Sequence, residues 1–469
     1  MSFPFIKYFR SLTMLSVVVA GCSVGPEYQK PDAIADIPET FTETGPWKEA
    51  APRDHLPKGE WWTIYKDSAL DQLISSATQA SPDIAAALAR LEQARAAAGI
   101  ASAELYPGLS AGAAAERGRT PPRRNTAART ENSFSLGVDL RYEIDLWGRV
   151  RRLNEGANAR AAASEADYHN VLLVVQADIA RTYFSLRALD AERALELRNI
   201  ESRKKSLNLV KLREQRGADP ALDTRLAEAE LASAESTLLD SDPRRAPFRY
   251  ALAVLCGTNP AHFTIDENPS VAFAAPPAIP TGLPSELLER RPDIAAAERS
   301  LAAASADIGV AKAAFFPTIV LFGSAGYGTV DFETLVDWSS RQWSLGPSLT
   351  VPLFDGGRNT ANFRRAEARH DEAFADYRKK VLIAFAEVET CLSDLRYYAE
   401  RSVTTDRALV ASKRAATLVS DRWQRGAVSY MDVTEAERRA IANERLAVQV
   451  RGQQLVASVL LVKAIGGGW

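Results

Sequence analysis

The sequence predicts an α+β membrane protein with an internal tandem repeat. Strands from several copies would close one β-barrel, and very long helices would pack helix on helix as coiled coils. Three observations carry this. The chain repeats itself at an offset near 210 residues. Each copy holds a pair of segments in which apolar and polar residues alternate, the period of a two-faced strand. Each copy also holds a long stretch without proline, at about 148–214 and 357–424, that would reach ~100 Å as helix at 1.5 Å per residue.

The repeat is read from landmarks in one register. Pro82-Asp83-Ile84 recurs as Pro292-Asp293-Ile294, and Tyr106-Pro107 as Phe316-Pro317, both at an offset of 210. Gly148-Arg149 recurs as Gly357-Arg358, and Gln215-Arg216-Gly217-Ala218 as Gln424-Arg425-Gly426-Ala427, at 209. Asp223 matches Asp432, and Glu228 matches Glu437. The chain is therefore two copies of one supersecondary unit, about 61–268 and 269–469, and not three unrelated domains.

Each copy opens with an Ala-rich helix that proline stops at Tyr106-Pro107 or Phe316-Pro317. Strands are expected at about 107–118, 132–146, 317–329 and 341–354. Phe134, Leu136, Val138, Leu140, Tyr142 and Ile144 interleave with Ser135, Gly137, Asp139, Arg141 and Glu143. In the second copy Trp343, Leu345, Leu349, Val351 and Leu353 alternate with Ser344, Gly346, Ser348 and Thr350. The long helices follow, with 4-3-4-3 spacing at Val381, Phe385, Val388, Leu392 and Leu395 and again from Tyr168 through Leu172, Val175, Ile179 and Thr182 to Leu186. Each long helix ends at a glycine turn, Gly217 or Gly426, and a second helix returns. The helical regions are expected over about 148–255 and 357–465.

Four strands cannot close a membrane barrel, which needs about eight or more. Two chains would give a barrel filled by side chains. Three would give twelve strands and room for water. The apolar face against a charged face fits lipid outside and water inside.

Residues 1–21 have the layout of a signal peptide, with Lys7 and Arg10 before an apolar run from Leu12 to Gly21. The run ends Val19-Ala20-Gly21-Cys22, which resembles the bacterial lipobox, so Cys22 would be acylated and begin the mature chain. The segment 22–60 would then be a lipid-anchored extension. Ser23, and not Asp, follows the cysteine, which in the sorting rule this resembles favours the outer membrane.

Composition excludes other classes. The chain of 469 residues balances 57 Lys and Arg against 59 Asp and Glu, for a net charge of −2, so it lacks the basic excess of a nucleic-acid binder. After residue 22 no run of ~18 apolar residues predicts a transmembrane helix. Cys256 and Cys391 lie in apolar helical contexts without CxxC spacing, and read as buried inert thiols. His55, His169, His262 and His370 are scattered, and no metal site or cofactor is expected. No nucleophile–base pair or phosphate loop points to an enzyme.

The stretches CSVGPEYQKP (22–31), LLERRPDIAAAERSLAAASADIGVAKAAFFP (287–317), SLGPSLTVPLFDGGR (344–358), QRGAVSYMDVTEAE (424–437) and the terminal GGGW resemble the bacterial outer membrane factor (TolC-like) family. The resemblance is to its OprM- and NodT-like lipoprotein branch, which serves RND efflux systems. It covers nearly all of the mature chain. It implies a homotrimer with a twelve-stranded barrel continuing into a twelve-helix periplasmic tunnel. The trimer would be a passive duct that exports small molecules such as drugs, working with a periplasmic adaptor and an inner-membrane pump. Metal-ion efflux and protein secretion are alternative cargoes, and a periplasmic adaptor lipoprotein is a remoter alternative.

The resemblance also implies a site. Asp432 matches the family's aperture acid, Glu435 lies one helical turn on, and Asp223 matches in the first copy, where Leu226 replaces the second acid. Asp223 could equally stabilise its helix N-terminus, and the same reading applies to Asp432. The Arg and Tyr by which the family locks this turn are not reproduced, since Val428 and Trp423 stand there. Arg216-Gly217 and Arg425-Gly426 resemble the tips that meet the adaptor. Separately, Arg117, Arg119, Arg123, Arg124 and Arg129 crowd the first outer loop, either as a solvated loop or as a contact for lipopolysaccharide phosphates.

Overall fold

Proline and glycine punctuate both copies at matching places, and the elements fall between them. The computed structural model describes residues 23–31, 41–42, 59–122, 127–271, 276–277, 279 and 290–467. In the first copy these form α1 (Ser68–Ala80), α2 (Pro82–Ala103), β1 (Gly108–Thr120), β2 (Arg129–Ile144), α3 (Arg149–Gln215), α4 (Ala221–Leu239) and α5 (Ser241–Leu255). The second copy gives α6 (Pro292–Ala313), β3 (Thr318–Thr329), β4 (Arg341–Thr350), α7 (Arg358–Gln424) and α8 (Tyr430–Ala464). The helices α3 and α7 are each 67 residues long. Among the described residues no helix is long and apolar enough to cross a membrane.

The chain divides into two compact units, and neither is one copy of the repeat. The first takes 90–165 and 296–378 with the N-terminal stretch to residue 33; the second takes 34–89, 166–295 and 379–469. Each long helix contributes to both. The copies are thus interleaved and do not fold as separate bodies.

The first unit is built around one antiparallel sheet in the order β1-β2-β3-β4. Its register sorts the side chains by face. Leu136 pairs with Ala113 and Tyr327, Val138 with Ala111 and Ala325, and Leu140 with Leu109 and Gly323. Leu345 and Leu349 continue that face opposite Gly323 and Ile319. The other face carries Ser110, Asp139, Ser324 and Ser344, all in one row of pairs, with Ser324 and Ser344 hydrogen-bonded at 2.8 Å. Apolar side chains on the first face are exposed in the single chain: Leu109 by 69%, Leu345 by 66% and Trp343 by 77%. Among the described residues the outer edges of β1 and β4 have no strand partner. An exposed apolar face and two open edges are what neighbouring copies and lipid must cover.

Two elements depart from the expected course. β4 stops at Thr350, so Val351 and Leu353 lie beyond it; Pro352 cannot donate to a ladder, and Leu353 is 93% exposed. The first hairpin returns as two helices, broken at Asp240, whereas α8 runs unbroken for 35 residues. The break falls just before Asp242-Pro243, where proline removes an N–H that a continuous helix would need.

The second unit holds the main core. Val175, Ile179 and Leu186 of α3 meet Leu70 and Ile74 of α1, Leu252 of α5, Val388 and Leu392 of α7, and Leu455, Leu461 and Val462 of α8, all buried. Burial of such side chains contributes roughly 1.5–3 kcal/mol each. Arg291 of the RRPDI stretch is 7% exposed and closes this core's end. It donates to both carboxylate oxygens of Asp293 at 3.0 and 2.8 Å, to Glu387 at 2.7 Å and to the Ala464 carbonyl at 3.0 Å. Burial alone would raise the Asp293 carboxyl, but Arg291 holds it below its usual value.

Candidate functional site

The two glycine turns of the second unit share one geometry. Gly217 and Gly426 have φ of +71° and +77°, a region that penalises any Cβ. Each turn closes with paired main-chain bonds. Gly217 N donates to Glu214 O and Ala218 N to Arg213 O, while Gly426 N donates to Trp423 O and Ala427 N to Arg422 O. This is the helix-ending pattern that satisfies the last carbonyls. No atom lies within 4 Å of where a Cβ would sit on either glycine, so the glycines are there for φ and leave open surface. Arg216 and Arg425 are exposed beside them.

The acids after the turns differ. Ser429 caps α8, and Asp432 completes a capping box: its carboxylate accepts from Ser429 N at 2.9 Å and from Ser429 Oγ at 2.7 Å, while Asp432 N donates to Ser429 Oγ at 3.3 Å. Those hydrogen bonds hold the Asp432 carboxyl below the usual aspartate range. In the first copy Pro220 stands at the cap and offers no side-chain bond. There burial, and then the nearby Asp219, push the Asp223 carboxyl above its usual value. Glu435 is exposed and paired with Arg439 at 2.8 Å. Leu226 and Val428 pack against a small tip core of Leu207, Val210, Ala227, Trp423, Tyr430 and Val433.

The residue that sequence reading missed is Arg213. Its guanidinium makes a two-pronged pair with Asp219 at 2.8 and 3.0 Å, lies 4.9 Å from the Trp423 ring centroid, and donates to the Gln424 carbonyl at 3.3 Å. Asp219 belongs to the first turn, while Trp423 and Gln424 end α7. One side chain therefore joins the tips of both hairpins. A faint signal existed, since Arg213 and Asp219 stand six residues apart across a predicted turn. Behind it, Arg203 is buried against Glu230 and Glu437, and Arg438 also pairs with Glu230. The Tyr430 hydroxyl there is buried without a hydrogen-bond partner, and burial pushes it up to about 12.

Other expected positions fall elsewhere. Cys22 lies outside the described residues, as do Arg123 and Arg124. Arg117 and Arg119 are exposed near the end of β1, and Arg129 pairs with Glu131. Cys256 and Cys391 are buried free thiols; burial raises both, Cys391 up to about 12. Among the described residues no group of three or more His, Cys, Asp or Glu could hold a metal.

An open four-stranded sheet joined to two 67-residue helices, each with a helical return, defines a protomer of an oligomeric channel. Comparison with known proteins narrows that class. The family profile described as outer membrane efflux protein matches residues 73–258 and 283–467, and the chain belongs to that family. It is 34% identical to the outer membrane protein OprJ of Pseudomonas aeruginosa, over 98% of this chain and 95% of that one. It is 32% identical to the toluene efflux pump outer membrane protein TtgI of Pseudomonas putida, over 98% of each. Its fold matches the outer-membrane channel OprN with a TM-score of 0.87 at 31% identity, over 96% of this chain and all of that one. The chain is an outer membrane efflux channel protein.

Proposed function

We propose that three copies form the exit duct of a tripartite efflux system, carrying small organic molecules out of the cell, and that the paired helix turns form its periplasmic aperture. The observation that carries the duct is the sheet: one apolar face and two unpaired edges in a single chain. Three such sheets give twelve strands with no open edge and a polar lumen. The partners are a periplasmic adaptor, meeting the open turn surfaces at Arg216-Gly217 and Arg425-Gly426, and an RND pump of the inner membrane. Acylated Cys22 would anchor the chain in the outer membrane. The duct itself performs no chemistry, and the pump supplies selection and energy. The name of the toluene relative supports apolar organic cargo.

At the aperture, Asp223 and Asp432 from three chains would ring the axis and favour cations. Arg213 replaces the family's missing lock from the opposite hairpin. It clasps Trp423, the residue standing where that lock's tyrosine would be. The test is bilayer conductance of the purified trimer. A small resting conductance that rises in Arg213→Ala supports the reading, and a folded trimer without channel activity refutes it.

A further inference from the structure

The N-terminal stretch 23–31 is not loose against the first unit. Val24 N donates to the Trp147 carbonyl at 3.0 Å. Gly25 has φ of +117°, and a Cβ there would stand 2.6 Å from Cα of Gly309. Gly309 lies in α6, and a Cβ on it would stand 2.8 Å from Cγ of Arg152. A Cβ on Gly148, at φ +81°, would meet Ser23 Oγ at 2.8 Å. Three residues on from Gly25, the Tyr28 hydroxyl donates to Glu298 Oε1 at 2.6 Å. Backbone thus lies directly on backbone at Gly25–Gly309, with a hydrogen bond on each side.

The seat is placed at one level of the fold. Trp147 follows β2 by three residues; its indole donates to the Pro317 carbonyl at 2.8 Å and stacks on Phe316 at 4.8 Å. Pro317 immediately precedes β3. The first described residues are therefore pinned where the strands begin and end. The repeat supplies a comparison within the same chain. The counterparts of Gly309 and Gly148 are Gly99 and Gly357, and neither has an atom within 4 Å of a Cβ position. Only one of two matching junctions is built as a seat.

We propose that residues 23–31 form a docked strap whose seat, Gly25 on Gly309 with Gly148 beside Ser23, fixes the N-terminus at the base of the barrel strands independently of any lipid. Cys22 is joined to Ser23 by one peptide bond, ~3.8 Å between Cα atoms, so an acyl chain there would enter the bilayer at that level. This consequence rests on the reading of Cys22 as acylated; the seat does not.

Hydrogen exchange of the 23–31 peptide in the purified trimer tests it. Wild type should be protected at Val24. A Cys22→Ser chain, exported behind a leader that the general signal peptidase cleaves, should stay protected. Gly25→Ala, whose Cβ would stand 2.6 Å from Cα of Gly309, should exchange at least ~10-fold faster. Gly99→Ala, at the open counterpart of Gly309, should match wild type. If Gly25→Ala fails to assemble, Tyr28→Phe removes the bond to Glu298 and should show release in the same direction. Unchanged exchange in Gly25→Ala and Tyr28→Phe, or equal release in Cys22→Ser, overturns the proposal. Palmitate labelling of wild type is read separately: its absence removes the acyl consequence and leaves the seat.

Discussion

Replacing Arg213 by alanine should loosen the closed aperture, and the size of the effect follows from its contacts. The pair with Asp219 stays within the first turn, so it orients the guanidinium without joining the hairpins. Two contacts cross between hairpins. The stack on Trp423 is worth ~0.5–1 kcal/mol. The bond to the Gln424 carbonyl, long at 3.3 Å and partly exposed, adds about 0.5–1 kcal/mol. Losing both shifts the opening equilibrium by ~1–2 kcal/mol per protomer, or roughly 5- to 30-fold. Asp219→Ala should have a smaller effect in the same direction, because it frees the guanidinium without removing it. Arg213→Lys should fall between wild type and Arg213→Ala, since an ammonium keeps the charge but loses the planar stack. Single-channel recording of purified trimers in planar bilayers reads the open fraction directly. A clasp by Arg213 is refuted if Arg213→Ala leaves the open fraction within about twofold of wild type. It is refuted equally if Asp219→Ala opens the channel more than Arg213→Ala does.

Four further outcomes are expected. Asp432→Asn should reduce cation preference, whereas Ser429→Ala should mainly weaken the helix start, by ~1 kcal/mol in thermal unfolding; equal loss of selectivity in both would make Asp432 only a cap. Acidification should titrate selectivity in two steps. Asp223, raised by burial, loses its charge above the ordinary value of 3.8, and Asp432, lowered by Ser429, keeps its charge below it. For stability the signs are opposite: the Asp432 contribution is present above 3.8 and lost as pH falls through its lower folded value, while acid relieves the cost of charged Asp223. A single-step titration above 3.8 in both Asp223→Asn and wild type would contradict this assignment. Arg291→Ala should destabilise by ~3–5 kcal/mol because it strands Asp293 beside the core, and a melting temperature equal to wild type would count against that. Cys391 should resist maleimide at pH 8 in the folded trimer and react after unfolding, since burial holds its thiol at about 12.

The alternation of β2 is a local property, so the faces of the sheet could be read before any partner was known. The 4-3-4-3 spacing of α7 likewise survives as a stripe from Val381 to Leu395, buried except at half-buried Phe385. The acids were less legible. The family resemblance singles out Asp223 and Asp432 after the turns, but only the tertiary structure shows that Ser429 caps one while Pro220 leaves the other uncapped. Arg213 left only a faint trace, its spacing to Asp219 across the turn, because nothing in a helical run of charges says which arginine will find an aromatic ring 210 residues later.

The sequence by itself determined the repeat, the four two-faced strands, the two long helices and the turns that end them. Each depends on residues close in the chain, where periodicity and glycine or proline chemistry act directly. Tertiary structure decided what depends on distant residues meeting. It interleaved the two copies into units that neither copy forms alone. It set Arg213 across to Trp423, closed the core end with Arg291, and seated the N-terminal strap on one of two matching junctions. The two copies share a pattern, but a single chain has one N-terminus, so packing breaks the symmetry that the sequence repeats.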